Sequence, residues 1–361
     1  EYLKLDYISI IWYQFCMNEN DKYWYAFAKL TKNASVFVNR VYQHFGSIEL
    51  AWNAETADLW KVEGLQQRQI HDSLEERKTI NPNECEDYIK ERGIDFIHPE
   101  DNRYPYLLRY IDNPPTGLFI LGDITSCNLE RTLAVVGSRK ASENAKNTLR
   151  KILEGFRNTD ICIVSGMAEG IDTTAHTTAI NNNMKTIAVI GGGFDKIYPK
   201  SNINLFNKII EGNGAVLTEY WPDVDAISWH FPVRNRIVSG FSKGVLVAEA
   251  AKKSGAMITG KLALEQGREL MCMPGMISNP NTEGVYSLLK TGASMITSTQ
   301  DIMDVLGWEI IKPEKKSVNN IQLTEQEQLI LDCLKKDALT MDELIIKTDL
   351  NINDLMVILT K

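Results

Sequence analysis

Between Lys22 and about Lys90 apolar side chains recur every third or fourth position (Tyr23, Phe27, Leu30; Val38, Val41, Phe45), with turn signals at Gly46-Ser47 and Glu63-Gly64. That period predicts a small all-α domain over residues 17–92. In 93–130 the pattern breaks, and Pro99, Pro105 and Pro114-Pro115 interrupt any long helix, so a connector with one or two short strands is predicted there. From 131 to 308 the period changes again. Short β-branched runs, LAVVG (133–137), ICIVSG (161–166), TIAVIG (186–191), AVLTE (215–219), GVLVAEA (244–250), ELMCMP (269–274) and ASMIT (293–297), alternate with helical segments. Alternation of this kind predicts a parallel sheet with crossover helices, and runs apolar at nearly every position predict helices on both faces. After Trp308 a polar stretch, 309–322 with KPEKKSVNN, reads as a linker, and 323–361 predicts three short helices with tight turns. The fold class expected is therefore α/β: a Rossmann-like parallel sheet core, a small N-terminal all-α domain, and a C-terminal partial winged-helix-like domain. In that last module a wing would need a β-hairpin after the third helix, and it is expected to be missing. Residues 1–16 precede Met17, which opens an ordinary-looking start, and are expected to be an extension.

Composition narrows the class. A chain of 361 residues with 44% hydrophobic content is long enough for two or three domains. The apolar stretch from Ile8 to Tyr13 is far shorter than the ~18 residues a membrane span needs. No basic start with a small-residue cleavage site precedes it, so a cytoplasmic location is expected. Six cysteines without a CxxC pair suggest neither a zinc site nor a disulfide framework. The net charge of −8 conceals a division: Lys and Arg number 13 against 21 Asp and Glu in 1–130, 18 against 13 in 131–275, and 8 against 13 in 276–361. Only the centre is basic, which suits a localised anion site better than a general polycation.

Ligands of a doubly wound sheet sit outside the carboxyl ends of its strands, so the loops there carry the chemistry. Gly137-Ser138-Arg139-Lys140 combines a glycine, a hydroxyl and two cations just before a helix start, a phosphate-binding arrangement. Gly166 opens a second glycine loop, SGMAEGID, that matches neither the dinucleotide fingerprint nor a P-loop. Within it Asp172 reads as a helix cap, and His176 as a structural histidine. The third loop holds Gly192, Phe194, Lys196, Lys200 and Asn202, and interleaves an aromatic with cations, as unpaired bases require. Phe194 is taken as the exposed aromatic, with Tyr198 left open between core and ligand. Arg234, Asn235 and Arg236 form a donor cluster at another helix start. The segment from Ser254 to Thr259 either closes the pocket or packs the sheet. No Ser-His-Asp signature, HExxH, paired metal ligands or nucleophile elbow occurs, so a binding protein without catalytic residues, cofactor or metal is expected.

Taken in order, VVGSRKAS, VSGMAEGIDTTAH, TIAVIGGGFDKIYPKSN, LTEY, FPVRNRIVSG, VAEAAKKSGAMITGKLALEQGR, MPG and LKTGA, with NRYPYLLRYIDNPPTGLFILGD ahead of them, resemble the DNA-processing protein A family (DprA, also called Smf) from about Met17 onward. The resemblance implies a Rossmann-like core that binds single-stranded DNA, forms a homodimer through that core, and hands the strand to the RecA recombinase in natural transformation. It implies a Gly-Ser-Arg motif at Gly137, Ser138 and Arg139 and an Arg-Asn-Arg motif at Arg234, Asn235 and Arg236, with Gly166, Phe194 and Lys200 in the same groove. Three departures stand out. An aromatic-glycine pair of the family is Asn144-Ala145 here; the N-terminal hairpin, Thr31 to Ser35, lacks the glycine of a DNA-binding helix-hairpin-helix; and the C-terminal module is acidic. The alternatives are a nucleoside-monophosphate glycosidase-like enzyme, whose acid would be sought where Lys261 stands, and a nucleotide sensor.

Overall fold

A segment such as Leu133–Val136, apolar at every position, is stable as a strand only if both its faces are covered. In the computed structural model all seven such runs are strands of one sheet. The structure describes residues 21–31, 35–309, 324, 326–327, 329–330, 341–348 and 350–360. Residues 1–16, positions 32–34 of the expected hairpin, and the expected linker beyond Glu309 lie outside them.

Six helices lead the described chain: α1 (Asp21–Thr31), α2 (Ser35–Phe45), α3 (Ile48–Asn53), α4 (Thr56–Leu59), α5 (Gln67–Arg77) and α6 (Pro82–Glu91). Trp24, Phe27, Val38, Val41, Ile48 and Trp52, the apolar stripes of the first three, are buried together. The same cluster continues into Phe96, Phe119 and Trp221, so the helices rest on the edge of the sheet. Tyr88 of α6 stacks on Trp221 at 5.2 Å.

Two strands in the stretch expected as a connector, β1 (Asp95–Ile97) and β2 (Leu118–Gly122), extend the sheet. The others are β3 (Thr132–Val136), β4 (Cys162–Ser165), β5 (Thr186–Val189), β6 (Gly214–Thr218), β7 (Gly244–Val247), β8 (Glu269–Cys272) and β9 (Ser294–Met295). Their spatial order is β1-β2-β6-β5-β4-β3-β7-β8-β9, with β3 to β9 all parallel and β2 antiparallel to β6 through Phe119↔Thr218. β2 thus covers the edge that fully buried β6 would otherwise expose.

Crossover helices cover both faces. α7 (Glu143–Glu154), α8 (Ile171–Asn181) and the later α13 (Thr299–Leu306) pack on the side of Leu133 and Val135. α10 (His230–Gly240), α11 (Gly255–Glu265) and α12 (Glu283–Lys290) pack on the side of Ala134 and Val136, the alternation a pleated strand imposes. α9 (Ile203–Lys208) precedes β6. The order reverses at β3: β4 to β6 run to one side and β7 to β9 to the other, which makes the carboxyl ends of β3 and β7 the switch point where such sheets open a crevice.

Residues 311–361 form a second compact unit. It contains α14 (Met341–Thr348) and α15 (Ile352–Thr360), with Ile330, Leu344 and Leu355 buried together. The first of the three helices expected there is described only in part. Among the described residues no helix is long and apolar enough to cross a membrane.

Candidate nucleic-acid interface

The loops after β3 and β4 are knitted through their backbones. Ser138 N donates to Glu249 O (2.7 Å) at the end of the β7 run, and Ile171 N donates to Ser138 O (3.2 Å). A Cβ on Gly137 would lie 2.5 Å from Ile171 Cγ1, and one on Gly170, at φ +81°, would lie 2.3 Å from Ser138 O. Glycine is required at both positions by this close approach. Ser138 Oγ accepts from Lys140 N (3.1 Å), closing a tight turn that leaves Arg139 and Lys140 exposed. Behind the turn, buried Glu249 accepts from Ser142 N (3.0 Å), Ser142 Oγ (2.6 Å) and Asn279 Nδ2 (3.2 Å).

Along these ends runs an open groove of about 760 Å³, lined by Gly137–Lys140, Tyr198, Phe231, Arg234, Asn235, Ser254, Gly255 and Asn281 among others. The exposed Arg139 guanidinium lies over the Phe231 ring at 5.0 Å, a cation–π contact. Tyr198, half exposed, also packs against Phe231, with the ring centroids 5.6 Å apart. The first turn of α11, with amides that lack intrahelical partners, borders the groove at Gly255 and Ala256.

Below the floor lies a buried charge cluster. Arg234 is 4% exposed, and one terminal nitrogen donates to Gly166 O and Val189 O at the ends of β4 and β5. Burial lowers its pKa to about 10, against the opposing pull of Asp172. The Asp172 carboxylate accepts from Gly166 N (3.1 Å) and Ala168 N (3.3 Å), so it ties down the loop before α8 instead of capping that helix from outside. Burial raises Asp172 to about 6, although Arg234 and the two amides pull the other way. His176 bonds Thr186 Oγ1 through Nδ1 (2.7 Å); burial, then Arg234, push it down to about 3, so it is neutral and structural, as its sequence context suggests.

These shifts set a pH dependence. The folded-state value of Asp172 lies above its unfolded 3.8, so its contribution to stability is complete below 3.8 and is lost as pH rises through about 6. The proton it gains below about 6 also removes one negative charge from beneath the groove. Oligo-dT binding is expected to tighten between pH 7 and pH 5, and Asp172→Asn to flatten that profile. Anisotropy titrations at both pH values check this; an equally steep profile in the variant would contradict it.

The structure brings Gly137, Ser138, Arg139, Lys140, Arg234 and Asn235 to one groove. Gly166 borders an adjoining cleft of about 60 Å³, and a Cβ there would lie 2.4 Å from the Arg234 guanidinium. Six other candidates are placed differently. Arg236 is buried on the far side of α10, paired with Glu219 (2.6 Å) and donating to Ser35 Oγ (3.2 Å) and Asn113 O (3.0 Å). Phe194 is only 9% exposed and packs against Phe206, so it offers no face to a base. Buried Asn202 donates to Met167 O (2.8 Å) and Thr173 Oγ1 (2.9 Å). Gly192 is buried where a Cβ would meet Ala226 at 2.9 Å. Lys196 is exposed but paired with Asp225 (3.0 Å). Lys200 is exposed directly after Pro199, which lines the cleft. Phe231 and Tyr198 are the groove aromatics that took the place expected for Phe194. Helical spacing could have found the first, since Phe231, Arg234 and Asn235 stand at i, i+3 and i+4 and share a face.

Residues 95–307 match the family model described as DNA recombination-mediator protein A. The chain belongs to the DNA recombination-mediator protein A family. The Smf protein of Synechocystis is 34% identical over 293 residues, 80% of this chain and 73% of that protein. The DNA processing protein DprA of Streptococcus pneumoniae is 42% identical over 203 residues, 56% of this chain and 71% of that protein. A solved structure of DprA from Streptococcus pneumoniae superposes with a TM-score of 0.70 at 33% identity, covering 78% of this chain and 97% of that one. DNA processing protein A from Helicobacter pylori, whose structure was described for its single-stranded DNA binding mode, superposes at 0.53 with 28% identity, covering 59% and 95%. As a member of the DNA recombination-mediator protein A family, the chain carries its matched region across the whole nine-stranded sheet and the groove at its switch point.

Proposed function

We propose that the groove binds single-stranded DNA without strong sequence preference, as a binding protein and not as an enzyme. The observation that carries this is Arg139 on the Phe231 ring, with Tyr198 packed against the same ring, in an open groove. Cations and helix-start amides hold phosphates, and half-exposed aromatic rings stack unpaired bases, whose faces are hidden in a duplex. The single-strand binding of the Helicobacter pylori relative supports the same reading. We further propose that this chain acts in the cytoplasm as a homodimer through the Rossmann-like core, protecting incoming strands and delivering them to the RecA recombinase in natural transformation; the family's description as a recombination mediator supports that role.

Fluorescence anisotropy with labelled oligo-dT, competed by duplex DNA and by thymidine monophosphate, tests the proposal. The oligomer is expected to bind, with both competitors far weaker. Competition by the mononucleotide at oligomer-like concentrations, or its hydrolysis to thymine and 2-deoxyribose 5-phosphate, would instead favour a nucleotide sensor or a glycosidase.

A further inference from the structure

The chain between β6 and α10 borders the groove. Ala226 and Ser228 line it, and so does Phe231 in the first turn of α10. Trp229, at which α10 begins, falls between them in sequence yet stands outside the lining and is 56% exposed. Ile227, two positions earlier, is 41% exposed. Among the described residues the one ring that Trp229 meets is His230, at 4.2 Å, and that pair is near perpendicular and not stacked. The other tryptophan of this segment, Trp221, is buried and stacked on Tyr88, so packing accounts for one indole and not for the other.

The backbone beneath Trp229 is fixed. Buried His230 places Nδ1 3.1 Å from Gly191 O and packs its ring on Tyr220 at 4.1 Å. Gly193 N donates to Val224 O (2.8 Å) and Asp195 N to Pro222 O (2.9 Å), which pins the preceding loop. An indole presented on such a backbone has little conformational freedom to lose on contact. Charge then selects what it can touch. From Trp221 to Trp229 the chain carries Asp223 and Asp225 and no Lys or Arg, and Lys196 is paired with Asp225 at 3.0 Å. Acidic surface repels a phosphate, whereas the face of an unpaired base is uncharged and stacks on an aromatic ring.

We propose that Trp229 is a stacking platform at the rim, outside the groove, so that a strand held at Arg139 leaves the groove across the start of α10 with a base on the indole. The proposal rests on the single-strand reading above and adds to it a direction of exit and a contact that involves no phosphate. Arg139 and Trp229 therefore act on the same strand through different physics, and salt separates them: loss of a phosphate contact makes the salt dependence shallower, while loss of a stacked base leaves it unchanged.

The test is a salt series of oligo-dT binding to the full chain and to Trp229→Ala and Trp229→Phe, read by anisotropy, with indole emission recorded for wild type and Trp229→Phe. Trp229→Ala is expected to weaken binding by about five-fold or more, the effect of losing one stacked base. Trp229→Phe, which keeps an aromatic face, should retain most of the affinity, and both variants should keep the wild-type log–log slope. Oligo-dT should quench the emission of wild type more than that of Trp229→Phe. Wild-type affinity in Trp229→Ala, a slope shallower by about 0.7, or equal quenching of wild type and Trp229→Phe would overturn the proposal. The quenching comparison decides the matter if Trp229→Ala fails to fold. Failure of wild type to bind oligo-dT would instead overturn the single-strand reading on which the proposal rests.

Discussion

Arg236→Ala is expected to destabilise the protein by about 3–5 kcal/mol while leaving the oligo-dT affinity of the folded protein unchanged. The guanidinium of Arg236 and the carboxylate of Glu219 are both nearly inaccessible to water. Glu219 Oε1 accepts from Arg236, and its Oε2 finds no partner among the described residues. Truncating the arginine therefore strands a buried carboxylate and unties α10 from Ser35 of α2 and from Asn113. A loss of that size lowers the melting temperature by roughly 10 °C. Adding Glu219→Gln should recover part of it, because the stranded charge is then gone. Thermal denaturation of the single and double variants checks this, and an unchanged melting temperature for Arg236→Ala would contradict the buried pair.

Arg234→Ala should be comparably destabilising, about 3–5 kcal/mol, but with a second consequence. Its guanidinium joins the carbonyls of Gly166 and Val189 and faces Asp172, so its loss leaves buried acceptors unpaired directly under the groove. Oligo-dT affinity, measured well below the melting transition, is expected to fall at least about tenfold, equivalent to ~1.4 kcal/mol. The penalty also carries a pH signature. Without Arg234 the Asp172 carboxyl loses the charge that holds it down, so its pKa rises further and the stability cost shrinks as pH falls toward 5. A cost independent of pH between 7 and 5, or unchanged affinity, would show that the cluster does not support the groove.

Seven of the nine strands were legible because continuous apolar runs between glycines have few other stable placements. β1 and β2 are legible only as short strands of a connector: the prolines between them signal irregularity, and nothing local announces an antiparallel partner as distant as β6. At the site, motif residues were legible but their directions were not. Arg234 and Arg236 share one motif, yet residues two apart on a helix face away from each other, so one lies under the groove and the other pairs with Glu219. Phe194 and Tyr198 present the same difficulty. Both follow a glycine loop, and only packing against Phe206 or Phe231 decides which is core and which is floor.

The most direct measurement is a salt series of oligo-dT binding to wild type and Arg139→Ala. Arg139 is exposed on Phe231, so its removal should leave stability nearly unchanged. If it neutralises one phosphate, the variant binds more weakly and its log–log dependence on salt is shallower by about 0.7. Equal affinities and equal slopes for the two proteins would place the strand somewhere other than this groove.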